Sequence, residues 1–351
     1  MTPEASAGPV YPRVLEGLDH VENTLFALGS VWAVTSDLPD NYSAGAVNGR
    51  LWRIEPSSGD QDLIFEGLDE QPLLAEQGGL VWVKLVDQVV ALDEAGVQIH
   101  SVPWERAGEI FAGEGVLWIT DFRGAQLAAI DPAVGEIVGS VDTVRFPVAP
   151  ISAFGYVWLP SSTDGDVSII DEETLGQTTN LRVVASQDRH KDVTAVPGRP
   201  SGDEVWVRKL DGQYAAISAA DETFGEVSQV EFDRSINLVH PVGDQILLLP
   251  LWGTAVFVAD KATTEIIAEI PLDAIPFRAV VEGDEAWVTS DGGFEGLFRI
   301  DLQAHQVLER LQVGENLSNT TGPTQPFVVN DEVWVPNRGD SKIVIAATSD
   351  G

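Results

Sequence analysis

Residues 330–335 read NDEVWV, and variants of this phrase recur along the whole chain. Each copy carries a bulky residue at its centre, which we call the anchor. The copies read LGSVWAVTS from residue 28, GGLVWVKL from 78, EGVLWITD from 114, FGYVWLPS from 154, GDEVWVRK from 202, GDQILLLP from 243, GDEAWVTS from 283 and NDEVWVPN from 330. The anchors are Trp32, Trp82, Trp118, Trp158, Trp206, Leu247, Trp287 and Trp334. The chain is therefore built from eight sequence repeats.

The residues around each anchor predict four short β-strands per repeat, which we call A to D. The anchor phrase is strand B, and a short apolar segment before it is strand A. A phrase such as AQLAAIDP or EGLFRIDL follows as strand C, and EIVGSV or EIIAEI follows as strand D. These segments alternate apolar with small or polar residues and end at Asp, Pro or Gly, as strands running into turns do.

Four short strands cannot bury both of their faces alone, so the repeats must stack against one another. Anchors lie 36 residues apart at the closest (82 to 118) and 50 at the farthest (32 to 82), a spacing typical of propeller blades. We therefore predict an all-β, eight-bladed β-propeller whose anchor side chains wedge between adjacent blades. Seven blades is the alternative if the sixth repeat, with Leu247 for Trp, is irregular.

The two ends of the chain predict how the ring closes. The last repeat stops one strand short, whereas residues 12–19 read PRVLEGLD and nearly repeat DLIFEGLD at 62–69. We expect the N-terminal segment to supply strand D of the last blade, so that no sheet edge stays open. This places a disordered linker at residues 1–11 and one propeller domain at 12–351.

Composition limits the partners that this chain can have. It carries 55 acidic against 20 basic residues and a net charge of −35, which repels nucleic acid and anionic lipid, and no run is apolar enough for membrane insertion. There is no cysteine, hence no disulfide and no thiolate site. The start MTPEASAGPVYP resembles the linker left by a trimmed leader, so we expect a secreted, periplasmic or cell-surface protein, with a cytoplasmic one as the alternative.

The repeats, Gly-x-x-Trp-Val followed by x-x-Ile-Asp, resemble those of bacterial repeat propellers such as the YVTN-type surface-layer proteins and the streptogramin lyases. This resemblance covers nearly the whole chain and concerns the scaffold. Streptogramin lyases use a His and Glu site with a divalent metal, but the Trp-Phe-Thr-Glu version of the phrase is missing here. The resemblance implies the fold and does not by itself transfer the lyase reaction.

In a propeller of this kind the B-to-C and D-to-A connections share one face, around the mouth of the central channel. Three of these connections are long, at residues 37–49, 185–202 and 313–326. Long loops in a compact repeat fold often carry function, although tolerated surface insertions explain them equally well.

We expect half of the twenty basic residues to lie near the channel mouth, because they come just after an anchor or just before a strand A. Six of them are candidate ligands for an anionic molecule: Lys84, Arg123, Arg208, Lys209, Arg278 and Arg338. Arginine presents a planar fork that suits carboxylate or phosphate. The alternative is that the cations pair with Asp121, Asp211, Asp291 and Asp340 and only hold loops in place.

The leading hypothesis is a bacterial binding or scaffold propeller that presents its channel mouth to a protein or a small anionic molecule. The rival is a metal-assisted lyase or lactone hydrolase at the same mouth, with His190 or His240 as acid or base and Ca²⁺ or Mg²⁺ held by carboxylates. The five histidines share no metal-ligand spacing, and no cofactor is firmly implied.

Residues 338–340 spell Arg-Gly-Asp, the tripeptide of adhesion signals. We interpret them as a turn between strands B and C of the last repeat, with Gly339 permitting the turn. Arg338 is of interest for its place on the rim and not for the tripeptide.

Overall fold

The computed structural model describes a chain made of β-strands and turns. The described residues are 12–37, 47–68, 72–147, 149–163, 165–183, 200–201, 204–208, 214–219, 224, 227–230, 232, 235–291, 296–314 and 325–348. Residues 1–11, the predicted linker, lie outside them. Within these ranges no helix has the length and hydropathy that a membrane crossing requires.

The strands form eight antiparallel sheets of four, so the eight-blade prediction is confirmed. Blades 1 to 4 follow one another along the chain. Their strands are β2 (Val21–Ala27), β3 (Ser30–Asp37), β4 (Val47–Ile54) and β5 (Gln61–Leu68); β6 (Leu73–Gln77), β7 (Leu80–Lys84), β8 (Gln88–Leu92) and β9 (Gln98–Pro103); β10 (Ile110–Ala112), β11 (Leu117–Asp121), β12 (Gln126–Asp131) and β13 (Glu136–Asp142); β14 (Ile151–Ala153), β15 (Tyr156–Pro160), β16 (Asp166–Asp171) and β17 (Gly176–Arg182).

Blades 5 to 7 repeat this order, and blade 8 differs in the origin of one strand. The strands of blades 5 to 7 are β18 (Pro200–Ser201), β19 (Glu204–Arg208), β20 (Tyr214–Ser218) and β21 (Val227–Val230); β22 (Ile236–Val242), β23 (Gln245–Pro250), β24 (Ala255–Asp260) and β25 (Ile266–Pro271); β26 (Ile275–Glu282), β27 (Glu285–Asp291), β28 (Gly296–Asp301) and β29 (Gln306–Gln312). Blade 8 contains β30 (Phe327–Val329), β31 (Glu332–Asn337), β32 (Lys342–Ala347) and β1 (Arg13–Glu16).

The N-terminal strand completes the last blade, as the sequence predicts. Strand β1 pairs antiparallel with β32, with Arg13 opposite Ile345 and Glu16 opposite Lys342. Arg13 also donates to both carboxylate oxygens of Glu332 at 2.7 Å, which ties β1 to β31. The two ends of the chain therefore lie in one sheet, and this sheet has the same four-strand order as the others.

The sixth repeat forms a regular blade although its anchor is Leu247, so the seven-blade alternative is wrong. Leu247 lies opposite His240 on one side and Val258 on the other, within the ladder of β22, β23 and β24. Leucine supplies enough apolar area to take part in the packing of blade 6 against blade 7. The strand pattern around the anchor, and not the indole itself, specifies the blade.

The core consists of eight apolar clusters in the described part of the chain, one between each pair of neighbouring blades. Each anchor lies in the cluster between its own blade and the next. Trp32, for example, packs on Val81 and Val83 of blade 2, and Trp334 packs on Val31 and Ala33 of blade 1. The predicted wedge of anchors between blades is confirmed. These contacts bury whole indoles and fix how each blade sits on the next.

Five of the seven tryptophan anchors have a hydrogen-bond partner for the indole N–H, and these partners are of two kinds. Trp32, Trp82 and Trp158 donate to the backbone oxygen of the residue five positions earlier, at 3.1–3.2 Å. Trp206 and Trp334 instead donate to a carboxylate two positions earlier, on Glu204 at 3.3 Å and on Glu332 at 3.2 Å. The Glu in GDEVWV and NDEVWV therefore has a structural role, because it lets a buried indole keep its hydrogen bond.

The Arg-Gly-Asp segment is a turn, as predicted, but its glycine is not the residue that permits it. Asn337 accepts hydrogen bonds from the backbone N–H of Gly339 at 3.0 Å and of Asp340 at 3.2 Å, an arrangement typical of Asx turns. The positive φ of this turn lies on Ser341, at 53°, whereas Gly339 is not among the positive-φ glycines. The side chain of Asn337, buried at the strand end, shapes the turn.

Candidate functional site

The B-to-C and D-to-A connections share one face, here called the top face. Backbone hydrogen bonds join the two kinds of connection, for example Trp104 N to Asp87 O at 2.8 Å, Phe122 N to Ala107 O at 2.9 Å and Leu272 N to Thr254 O at 2.8 Å. The predicted ligand residues in the described part of the chain belong to these connections or to the strand ends beside them. The structure distributes them over several sectors of the ring.

Arg278 lies near the top end of β26 in blade 7, next to a β-bulge. The strand register shifts between Pro276 and Arg278, and such a bulge re-aims the side chains beside it. The Arg278 guanidinium stacks over the Phe277 ring at 4.3 Å and donates to Phe277 O at 3.2 Å. Burial is the main cause that lowers the pKa of Arg278, and the positive charge of Arg208 lowers it further.

Arg208, at the end of β19 in blade 5, is close enough to Arg278 for their charges to interact. Its Nε is buried and has no hydrogen-bond partner. Among the described residues, no carboxylate forms an ion pair with Arg208 or Arg278. Two predicted ligand residues that lie two blades apart are therefore near enough for the charge of one to act on the other. We call this pair the arginine pair.

His240, the predicted acid or base, lies on β22 of blade 6, between the two blades that carry the arginine pair. Its side chain is only 1% exposed and packs within the strand ladder opposite Leu247. The other candidate, His190, lies outside the described residues, as does the predicted ligand Lys209. Among the residues that are described, no group of three or more His, Asp or Glu side chains is arranged to hold a metal ion.

Lys84 ends β7 in blade 2 and is 8% exposed. Its ammonium donates to the backbone oxygens of Leu85 and of Val86, the latter at 3.3 Å, so it closes the B-to-C turn of its own blade. A surface pocket of about 280 Å³ lies beside it, between Leu68 and Pro72 of the preceding connection and Val86. Lys84 thus belongs to a sector away from the arginine pair.

Arg338 lies at the seam between blades 8 and 1. Its guanidinium pairs with Glu22, which is 5% exposed, and its backbone oxygen lies 2.7 Å from Nδ1 of His20. Ser36 donates to the second Glu22 oxygen at 2.9 Å. Burial lowers the pKa of Arg338. The cation therefore joins the last blade to the first, and its partner is Glu22 and not the predicted Asp340, which pairs with Lys342 at 3.3 Å.

Arg123 follows β11 in blade 3, where its side chain is exposed. Its neighbour Asp121 accepts the backbone N–H of Arg123 at 3.1 Å and of Gly124 at 2.7 Å. Asp121 pairs with Arg106 at 2.9 Å instead of with the Arg123 guanidinium. Asp121 therefore pairs with a cation, as the loop-holding interpretation expects, but that cation is Arg106, and the Arg123 side chain is exposed to solvent.

Glu109, just before β10 in blade 3, is an acidic residue with a perturbed pKa on the same top face. Burial raises the pKa of the Glu109 carboxyl, and a weak hydrogen bond from Ala149 N at 3.5 Å opposes this rise. Thr120 holds its backbone, since Thr120 Oγ1 accepts the Glu109 N–H at 2.7 Å. Glu109 occupies the same place in blade 3 as Arg278 occupies in blade 7, because each precedes its anchor by nine residues (118 − 109 and 287 − 278).

Two features of the top face are not readable from the sequence repeat. The bulge beside Arg278 is one, because nothing in PFRAVV distinguishes it from a regular strand. The other is an edge-to-face contact between Phe122 and Phe146, with ring centroids 5.2 Å apart. The only sequence signal for this contact is a phenylalanine in each of two connections that the fold brings together. Most of the three long connections lies outside the described residues.

Comparison with known proteins finds similarity in structure only. No family model matches the chain, and no curated protein matches it in sequence. Among solved structures, Saccharomyces cerevisiae Sqt1 is 12% identical with a TM-score of 0.70 over 97% of this chain and 98% of that chain. BamB from Moraxella catarrhalis is 14% identical with a TM-score of 0.67 over 95% of both chains.

Virginiamycin B lyase from Staphylococcus aureus is similar as well, with 13% identity and a TM-score of 0.57 over 95% of this chain and 98% of that chain. The scaffold-level resemblance to the streptogramin lyase propellers is thus confirmed. At these identities the likeness extends to the fold and not to the reaction or the partner. The chain is an eight-bladed propeller that carries the arginine pair on its top face.

Proposed function

We propose that this chain is a binding propeller whose top face takes a small anionic group between blades 5 and 7, at the arginine pair. The observation that carries the proposal is the pair itself: Arg208 and Arg278 are half-buried, mutually repelling cations without a carboxylate partner among the described residues. Burying charges without a counterion is unfavourable. A bound anion would offset this cost.

The chemistry of the arginine pair favours a carboxylate or phosphate group. Each guanidinium offers a planar fork of donors, and the Nε of Arg208 is buried with no hydrogen-bond partner. The stack of Arg278 on Phe277 holds one fork in a defined orientation, which reduces the side-chain entropy lost on binding. The net charge of −35 repels anions at long range, so recognition has to come from these short-range contacts.

Binding is tested with phosphate, citrate and glutamate, by calorimetry and thermal shift at constant ionic strength. We expect at least one of them to bind saturably. At a concentration of 100 times Kd it stabilises the fold by about 2.7 kcal/mol. Arg208→Gln and Arg278→Gln are expected to abolish this binding, whereas Arg182→Gln, an exposed arginine paired with Asp166 at 2.7 Å, is the matched control. Equal binding by all variants would contradict the proposal.

The enzymatic alternative stays a prediction about His190 and His240. It requires Ca²⁺ or Mg²⁺ at the top face. Metal analysis of the purified protein and thermal shifts with each ion test it, and a saturable shift lost in His240→Ala or His190→Ala would favour it. Location outside the cytoplasm is likewise a prediction, and fractionation of the native cells would test it.

A further inference from the structure

A second sector of the top face, on blades 3 and 4, carries a different kind of surface. The B-to-C turn of blade 3 lies between two D-to-A connections, since Phe122 N donates to Ala107 O at 2.9 Å and Thr143 N donates to Ala125 O at 2.8 Å. This arrangement gathers side chains from three separate segments. We call them the rim patch: Arg106, Phe122, Arg123, Arg145 and Phe146.

The apolar centre of the rim patch is the Phe122–Phe146 pair. Phe146 is 37% exposed and has a φ of +48°, a conformation that is rare and strained for an aromatic residue. Its loop is nevertheless held firmly, because Ser162 N donates to Phe146 O at 3.0 Å and Pro147 bridges Ser161. The fold therefore maintains an outward-facing aromatic ring at a cost in backbone strain. Such strain is commonly found at binding surfaces.

The charges around the aromatic pair are cationic and mostly not neutralised. Arg123 and Arg145 are exposed, and no described carboxylate pairs with either of them. Arg106 forms an ion pair with Asp121, and this carboxylate also accepts hydrogen bonds from two backbone N–H groups. The exposed carboxylates Glu105 and Asp142 flank the patch without an ion pair to it. A chain with a net charge of −35 thus displays unpaired guanidinium groups beside an exposed phenylalanine.

We propose that the rim patch docks an acidic segment of another protein, with an apolar side chain on the phenylalanine pair and carboxylates at Arg123 and Arg145. Charge complementarity selects this occupant, because a second copy of this acidic chain would be repelled. Aromatic residues and arginine are the residue types that dominate binding energy in protein interfaces. The rim patch lies on blades 3 and 4, so it is distinct from the arginine pair on blades 5 and 7.

The test uses a fluorescein-labelled peptide of alternating glutamate and leucine with blocked ends, measured by polarisation. We expect the wild-type protein to bind it. The Arg123→Gln/Arg145→Gln double variant and Phe146→Ser should each bind at least about tenfold more weakly. Arg182→Gln and Arg310→Gln, exposed arginines on outer strands, should bind like the wild type. Melting temperatures of all variants identify any loss of fold.

Peptide controls separate charge from apolar contact. A version with glutamine for glutamate and one with serine for leucine should each lose most of the binding, because both contacts are required. No binding of the original peptide up to about 1 mM, or unchanged binding by the patch variants, would overturn the proposal.

Two further arms identify the class of partner. Vesicles containing phosphatidylserine should not bind, and sedimentation with them that depends on the rim patch would replace the protein partner by a lipid surface. Arg208→Gln should leave peptide binding intact, and loss of binding in that variant would place the peptide at the arginine pair. The two proposals can therefore fail separately.

Discussion

Blades 3 and 7 carry residues of opposite charge, Glu109 and Arg278, at equivalent positions of strand A. In both, a threonine two residues after the anchor holds the backbone of the strand A residue nine positions before it. Thr120 accepts the N–H of Glu109 at 2.7 Å, and Thr289 accepts that of Arg278 at 3.2 Å. The residue held is an acid of raised pKa in one blade and a cation of lowered pKa in the other.

The equivalent hydrogen bonds hold the backbone of this residue in both blades and do not decide which side chain it carries. In both blades the hydroxyl bonds to the backbone of the strand A residue, so it positions that residue whichever side chain the residue carries. Because an eight-membered ring places blade 7 opposite blade 3, Glu109 and Arg278 occupy equivalent positions on opposite sides of the ring. A single side chain therefore decides the charge at this position in blades 3 and 7.

The largest expected effect tests whether the two blades are structurally equal. Trp118→Ala and Trp287→Ala should each cost about 3–5 kcal/mol of unfolding free energy, because each removes a fully buried indole from an interblade cluster. Neither indole has a hydrogen-bond partner, so the loss is one of packing. Urea denaturation measures it, with Val138→Ala, at an exposed position, as the control. A cost below about 1 kcal/mol in one blade would show that the two blades are not structurally equal.

An intermediate effect tests the threonine itself. Thr120→Val and Thr289→Val each leave a backbone N–H without its acceptor, and both threonines are at most 1% exposed. We expect a loss of about 1–3 kcal/mol in each case. Serine at either position keeps the hydroxyl and serves as the matched control. If valine proved as stable as serine, the hydroxyl would have no role in holding Glu109 or Arg278.

The smallest effect separates the two blades by pH. Because the pKa of Glu109 is raised in the folded protein, its ionisation destabilises the fold increasingly as pH rises above the ordinary glutamate range. Glu109→Gln should therefore gain stability relative to the wild type at pH 7 and little at pH 4. Arg278→Gln should show the same difference at both values, since the guanidinium stays charged throughout. Denaturation at the two pH values measures both, and a flat profile for Glu109→Gln would refute the assigned burial effect.

The sequence predicts most of the fold because each repeat contains its own strand pattern. The anchors, the four strands per blade and the N-terminal strand β1 are all readable from periodicity and from the surplus segment at residues 12–19. The turn at residues 338–340 is readable too, but not the backbone position that takes the positive φ. The backbone conformation of this turn depends on the side chain that accepts its N–H groups at the strand end, here Asn337.

The candidate sites are only partly predictable, for a different reason. The sequence identifies Arg208 and Arg278 as rim cations, but the electrostatic interaction between them depends on where the ring directs these side chains of blades 5 and 7. Arg338 is predicted as a ligand residue, and the seam instead supplies Glu22 as its partner. Phe122 and Phe146 do not belong to the repeat pattern and come together only through packed loops.

The sequence by itself determined the repeat, the strand order within each blade and the anchors that pack between blades, because these follow from local periodicity and burial. Only the tertiary structure decided which charged side chains are neighbours, which have partners and which face solvent. Contacts between residues of different blades depend on ring geometry, bulges and loop packing, and the sequence repeat encodes none of these directly.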